Sequence, residues 1–101
     1  MKNSDLVVMT TAEAKPEKQK TVQQALNDVA KAARAQSGCI EYSVFRSAEN
    51  PAVTVNLERW TSKEERDTFL ASADVEKFAS SVSGAFVESP QPLSYEILDE
   101  G

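Results

Sequence analysis

The chain contains no histidine and a single cysteine, Cys39. Without imidazole there is no triad-type general base, and one thiol cannot assemble the usual zinc, copper or haem ligand sets. One cysteine also excludes an intrachain disulfide. Basic residues are scarce: 11 Lys and Arg stand against 16 Asp and Glu, giving a formal charge of -5 and a pI near 4.7. The phosphate attraction that drives nucleic-acid binding is therefore missing, and an acidic surface is repelled by anionic membranes. Long apolar runs are missing too. The run from Leu6 to Met9 is too short for a secretory leader or a membrane span, so the expectation is a cytoplasmic protein with neither. The partners left are small neutral or hydrophobic molecules and protein surfaces, including those of a second copy.

What is present suits one globular domain over residues 1–101: 41% hydrophobic and 27% charged residues, with 3 Gly and 4 Pro. At this size folding removes roughly 65% of the extended chain's surface from water, so the core is thin and burial against a second copy would add to it.

After a polar leader, Asp5 to Glu13, DLVVMTTAE, reads as a strand. Pro16 suits the first turn of a helix, and Val22, Ala25, Leu26, Val29, Ala32, Ala33 and Gln36 recur at the spacing of one helical face. A helix over Glu17 to Gln36 follows, stopped by Ser37 and by Gly38 in a left-handed turn. Cys39 to Arg46 and Val53 to Trp60 alternate and are joined by SAENPA, which predicts an antiparallel pair. Ser62 with Glu65 forms a capping box that opens a second helix. Its apolar positions are Phe69, Leu70, Ala73, Phe78, Val82 and Phe86, and Ser72 with Asp74 predicts a restart in two pieces. Val87 to Pro92 reads as a loop and Leu93 to Leu98 as the last strand.

The order β-α-β-β-α-β, under the right-handed crossover rule, gives an α+β fold with a four-stranded antiparallel sheet and both helices on one face. Val7, Met9, Ile40, Tyr42, Val44, Val53, Val55 and Leu57 make more than one side of the strands apolar. An uncovered apolar face predicts a homodimer packed sheet to sheet. At ~25 cal/mol per Å², a standard interface of about 1,600 Å² outweighs what surface ion pairs contribute.

Between Ser37 and Phe78 the chain carries a helix ending in Gly38-Cys39 and a strand with Tyr42 three residues after the cysteine. Pro51 follows in the hairpin, Glu58-x-Trp60 closes the next strand, and a helix led by Ser62 contains Leu70-x-Ser72. This pattern resembles the antibiotic biosynthesis monooxygenase family. The resemblance implies a ferredoxin-like fold paired into a homodimeric α/β barrel, with a pocket in each subunit between sheet and helices. Similar domains include anthrone and quinol monooxygenases, haem-degrading enzymes and isomerases of sugar derivatives. The haem-degrading branch needs a His on the second helix and a Trp where Phe69 stands. The isomerase branch uses His as well, and this chain has none.

Asn56 and Trp60 lie four apart on one strand and so share a face with Glu58 between them. The resemblance to anthrone monooxygenases implies that Asn56 and Trp60 line the pocket and are the catalytic residues, donating an amide N–H and an indole N–H to an oxyanion. Against this stands a plainer reading, with Trp60 in the core and Asn56 solvated. Glu58 is the obvious carboxylate base, or else one half of a structural ion pair. Tyr42 either lends its phenol to the site or packs in the sheet, and Phe69, Phe78 and Val82 line the pocket wall in a fold where core and cavity coincide. Cys39 lacks a basic neighbour and reads as a packing residue. Arg46, Arg59 and Arg66 read as surface or intersubunit charges, and the Arg that those enzymes carry near the end of the second helix has no match at Ser80 to Ser83.

The expected function is a cofactor-independent monooxygenase whose only co-substrate is dioxygen, acting on a hydrophobic phenolic, anthrone or quinol-like molecule with no metal. Two alternatives stay open: a non-catalytic dimeric binding or accessory protein, and a cofactor-free isomerase or cyclase with Glu58 as base.

Overall fold

Alternating residues build four strands: β1 (Leu6–Glu13), β2 (Cys39–Arg46), β3 (Val53–Trp60) and β4 (Gln91–Tyr95). The structure, a computed structural model, describes residues 5–100, so most of the expected polar leader lies outside the described residues. The strands pair antiparallel in the order β2-β3-β1-β4. A 3-10 turn over Pro16–Lys18 leads into α1 (Gln19–Arg34), and α2 (Lys63–Leu70) and α3 (Ala73–Ser81) cover the same face of the sheet. This is the ferredoxin-like arrangement expected from the element order.

Two serines split the second helix as expected. Ser62 Oγ accepts from the Glu65 N–H at 3.2 Å and opens α2; Ser72 Oγ accepts from the Val75 N–H at 3.4 Å and opens α3. Gly84, with φ of +71°, turns the chain after α3, so Phe86 lies beyond the helix and bridges to Ala14. Gly38 does not adopt the expected left-handed turn. Its requirement is space: a Cβ there would lie 2.5 Å from Glu65 Cβ. The last strand also differs from expectation, because β1 partners Gln91 to Tyr95 and leaves Glu96 to Leu98 beyond the ladder.

Register decides which side chains meet. Residues directly opposite in an antiparallel pair share a face. Thr54, Asn56, Glu58 and Trp60 of β3 stand opposite Ala12, Thr10, Val8 and Leu6 of β1 on the helix side. Val53, Val55 and Leu57 point the other way, beside Thr11 and Met9. A bulge at Ile40 inserts one extra residue into β2, so that Cys39 opposes Trp60 while Tyr42 opposes Glu58. The register on the hairpin side of the bulge corrects the expected outer face: Tyr42 and Val44, opposite Glu58 and Asn56, look toward the helices, and Phe45, 54% exposed, takes the outer side. Leu93 and Tyr95 extend this outer apolar surface on β4.

The helix side is filled by two clusters. Val22, Ala25, Leu26, Val82 and Ala85 pack around Ala14, while Val29, Ala30, Ala33, Tyr42 and Phe69 pack around Trp60. Among the described residues no helix is long and apolar enough to cross a membrane.

Candidate functional site

Between the two clusters the packing opens into a cavity of about 350 Å³, at the lower end of the range for small-molecule sites. Leu26 and Val29 of α1, Phe69 of α2 and Phe78 of α3 form its apolar walls. The sheet supplies Tyr42, Thr54, Asn56 and Glu58, and α2 adds Arg66. A larger depression of about 490 Å³ lies on the opposite side of the sheet, against Met9, Val53, Val55, Leu93 and Tyr95. Its carboxylates, Glu13 and Glu88, are exposed, so it is a concavity of the uncovered face without a buried polar group to direct chemistry.

Glu58 is the electrostatic centre of the inner cavity. Only 4% exposed, it accepts from the Trp60 indole N–H at 2.9 Å and from Arg66 Nε at 2.9 Å, both on Oε1. Arg66 Nη2 reaches Oε2 at 3.3 Å. A carboxylate so deep in the fold is stable only because a guanidinium neutralises it and two donors aim at it.

Tyr42 is equally enclosed, and its hydroxyl accepts from Asn56 Nδ2 at 3.3 Å. Burial, followed by the negative charge of Glu58, holds its phenol well above the usual tyrosine range, so it stays protonated. Cys39 donates weakly from Sγ to the Glu41 carbonyl at 3.5 Å, and burial together with Glu58 pushes its thiol up as well. It is not poised as a nucleophile. Among the described residues no group of three or more His, Cys, Asp or Glu side chains is placed to hold a metal ion.

Six of the seven candidate residues meet at this cavity: Tyr42, Asn56, Glu58, Phe69, Phe78 and Val82. Trp60 does not line it. The indole is 0% exposed behind the wall, with its ring centroid 5.4 Å from that of Phe69 and its N–H committed to Glu58. It is therefore placed to act on the cavity through Glu58 and Phe69.

Arg66 is the residue that sequence reasoning missed. Expected among surface charges, it pairs with Glu58 instead, its side chain 14% exposed. A signal existed: with Ser62 fixing the start of α2, Arg66 shares a helical face with Phe69 and Leu70, and a charge on an apolar stripe calls for a buried partner. Arg59 is an outer charge as expected, paired with Asp5 and Glu100.

Among curated proteins no sequence match is found. Solved structures similar to this one include a candidate antibiotic biosynthesis monooxygenase from Nitrosomonas europaea, with TM-score 0.91, 16% identity, and coverage of 99% of this chain and 96% of the other. The Mycobacterium tuberculosis protein Rv0793 superposes with TM-score 0.89 at 22% identity over 96% and 98% of the two chains. A conserved Methanosarcina mazei protein gives 0.85 at 22% over 92% of each. At such identities these likenesses speak to the fold alone. The family model for antibiotic biosynthesis monooxygenases, however, matches residues 5–81, from the first strand through both pieces of the second helix, and the chain belongs to that family.

Proposed function

We propose that the chain is a cofactor-independent monooxygenase acting on a hydrophobic aromatic molecule of the phenol, anthrone or quinol type. Membership of the family supports oxygenation as the reaction class. The single observation that carries the substrate class is the cavity itself, apolar on its helix side with Tyr42, Asn56 and Glu58 along the sheet side. In such a reaction the substrate is its own reductant. Loss of a proton leaves an electron-rich anion that reduces dioxygen; one oxygen atom ends in the product and the other leaves as water, so that an anthrone CH₂ becomes a carbonyl.

The chain must hold the substrate, stabilise its oxyanion and exclude water. Asn56 suits the second task. One amide N–H rests on Tyr42, and the carboxamide has a second to offer. Trp60 contributes by holding Glu58. Oxygen uptake with a panel of anthrones and hydroquinones tests the reading: uptake should depend on substrate, and Asn56→Ala should lower kcat about a hundredfold. Absence of substrate-dependent uptake across the panel removes it.

The working unit in this reading is a homodimer. Phe45 and Leu93 are 54% and 56% exposed on a face that also carries Met9, Val55 and Leu57, and a second copy is the surface that matches it. In this dimer the chain from Leu93 to Leu98 is expected to reach the partner, and the nearly complete exposure of Leu98 supports that expectation. Glu58, clamped by two donors, is not poised as the base of an isomerase or cyclase, which leaves a binding protein as the alternative reading. Recovery of an unchanged small molecule from the cavity, with no oxygen uptake, would favour that alternative.

A further inference from the structure

We propose that the free acceptor capacity of Glu58 Oε2 selects the ligand of the cavity, and that the ligand is a neutral aromatic hydroxyl compound donating its O–H to that oxygen. The inference rests on reading the cavity as the substrate site and adds to it the group that is recognised.

The two carboxylate oxygens are unequally occupied. Oε1 takes two bonds of 2.9 Å, whereas Oε2 takes one longer bond of 3.3 Å from Arg66 Nη2. An ionised carboxylate accepts about four hydrogen bonds in all, so the spare capacity lies on Oε2 of a residue that lines the cavity. Arg66 and Glu58 cancel in charge, and every other polar group on the wall is neutral. A ligand carboxylate or phosphate would meet the negative charge of Glu58, and an ammonium would meet Arg66. A neutral donor meets neither penalty. The remaining wall, with Phe69, Phe78 and Val82, takes the flat apolar body.

Arg66 is then a positioning residue that acts through Glu58. Its Nε on Oε1 and its Nη2 on Oε2 fix the plane of the carboxylate, and so the direction in which the free acceptor of Oε2 points. Replaced by glutamine, it would leave Glu58 without a counter-charge and without the fork that holds its carboxylate in place.

Calorimetric titration of the unmodified protein with 2-naphthol and with 2-methoxynaphthalene tests this. The two share a ring system and differ in the donor. A hydrogen bond to a charged acceptor predicts that the naphthol binds on the order of ten- to a hundredfold more tightly. Glu58→Gln should cut that preference to a few-fold, Arg66→Gln should abolish it, and Arg66→Lys should restore part of it. A purely structural role for Arg66 would weaken both ligands together and leave their ratio intact, which overturns its assignment. Equal binding of naphthol and ether to the unmodified protein, or tighter binding of the ether, overturns the inference while leaving the cavity as a binding site. Failure of both ligands to bind overturns the inference and the substrate-site reading together.

Discussion

The two faces of β3 are the reverse of what a one-sided sheet ordinarily shows. Such a sheet turns its apolar residues to the core and its polar ones to water. Here Val53, Val55 and Leu57 point away from the helices, whereas Thr54, Asn56 and Glu58 point toward them. Trp60, at the end of the strand, is the one large apolar side chain that β3 gives to the core. The inward polar row cannot pack against the helices as a core does, and a cavity stands in front of it. The outward apolar row, in turn, has no cover among the described residues. One alternating octapeptide thus makes the site on one side and calls for a partner on the other.

The largest expected effect comes from breaking the outer row. Val55 stands opposite Thr11 on β1 and Phe45 on β2, in the middle of the exposed apolar surface. In a sheet-to-sheet dimer an aspartate there is buried without a counter-charge, so Val55→Asp should yield monomer or fail to fold. The parent protein should keep the hydrodynamic size of a dimer on dilution to low micromolar and at high salt, because apolar burial is not screened. A well-folded monomer from the unmodified chain would break the comparison, since the outer face would then need no cover.

Breaking the inner row should cost less but still much. Arg66→Ala leaves the Glu58 carboxylate enclosed with the Trp60 N–H as its remaining strong donor among the described residues, and removal of one partner of a buried pair costs about 3–5 kcal/mol. Urea unfolding measures it. Replacing both partners together, as in Glu58→Leu with Arg66→Leu, should recover most of that loss and abolish ligand recognition. If the double variant is as unstable as Arg66→Ala, the pair is holding the fold rather than serving the cavity.

Much of this was legible in the sequence because it rests on local rules. Alternation located β1, β2 and β3, Ser62 and Ser72 announced the two starts of the split helix, and the element order fixed the topology. Asn56, Glu58 and Trp60 share a face because a strand repeats every two residues. What failed was non-local. The register that the hairpin imposes, Arg46 opposite Thr54 and so Tyr42 opposite Glu58, is what sends Tyr42 inward to meet Asn56, and no pattern within Cys39 to Arg46 reveals it or the bulge at Ile40. The start of β4 at Gln91 is set by pairing with Thr11, although Pro90 and Pro92 make the segment read as a loop. Trp60 proved core and Glu58 cavity-lining because α2, the next element in the chain, folds back to bring Arg66 and Phe69 to them.

The smallest effect sharpens the comparison at its inner edge. Because burial and Glu58 hold the Tyr42 phenol above its ordinary value of 10.0, the folded protein keeps a proton that the unfolded chain releases there. Above about pH 10 the unfolded state therefore binds fewer protons than the native state, and stability falls as pH rises. Below that range the contribution of Tyr42 is present in full. Tyr42→Phe deletes the titrating group, so the variant should lose stability less steeply on the alkaline side than the parent. Near neutral pH it should cost only about 0.5–1.5 kcal/mol, for the one bond accepted from Asn56. Urea midpoints measured across the alkaline range for both proteins isolate the term, because the lysines and Tyr95 are common to the two. Parallel curves would mean that the Tyr42 phenol reaches water in the native state, and that the polar row of β3 is open to solvent rather than enclosed in front of the helices.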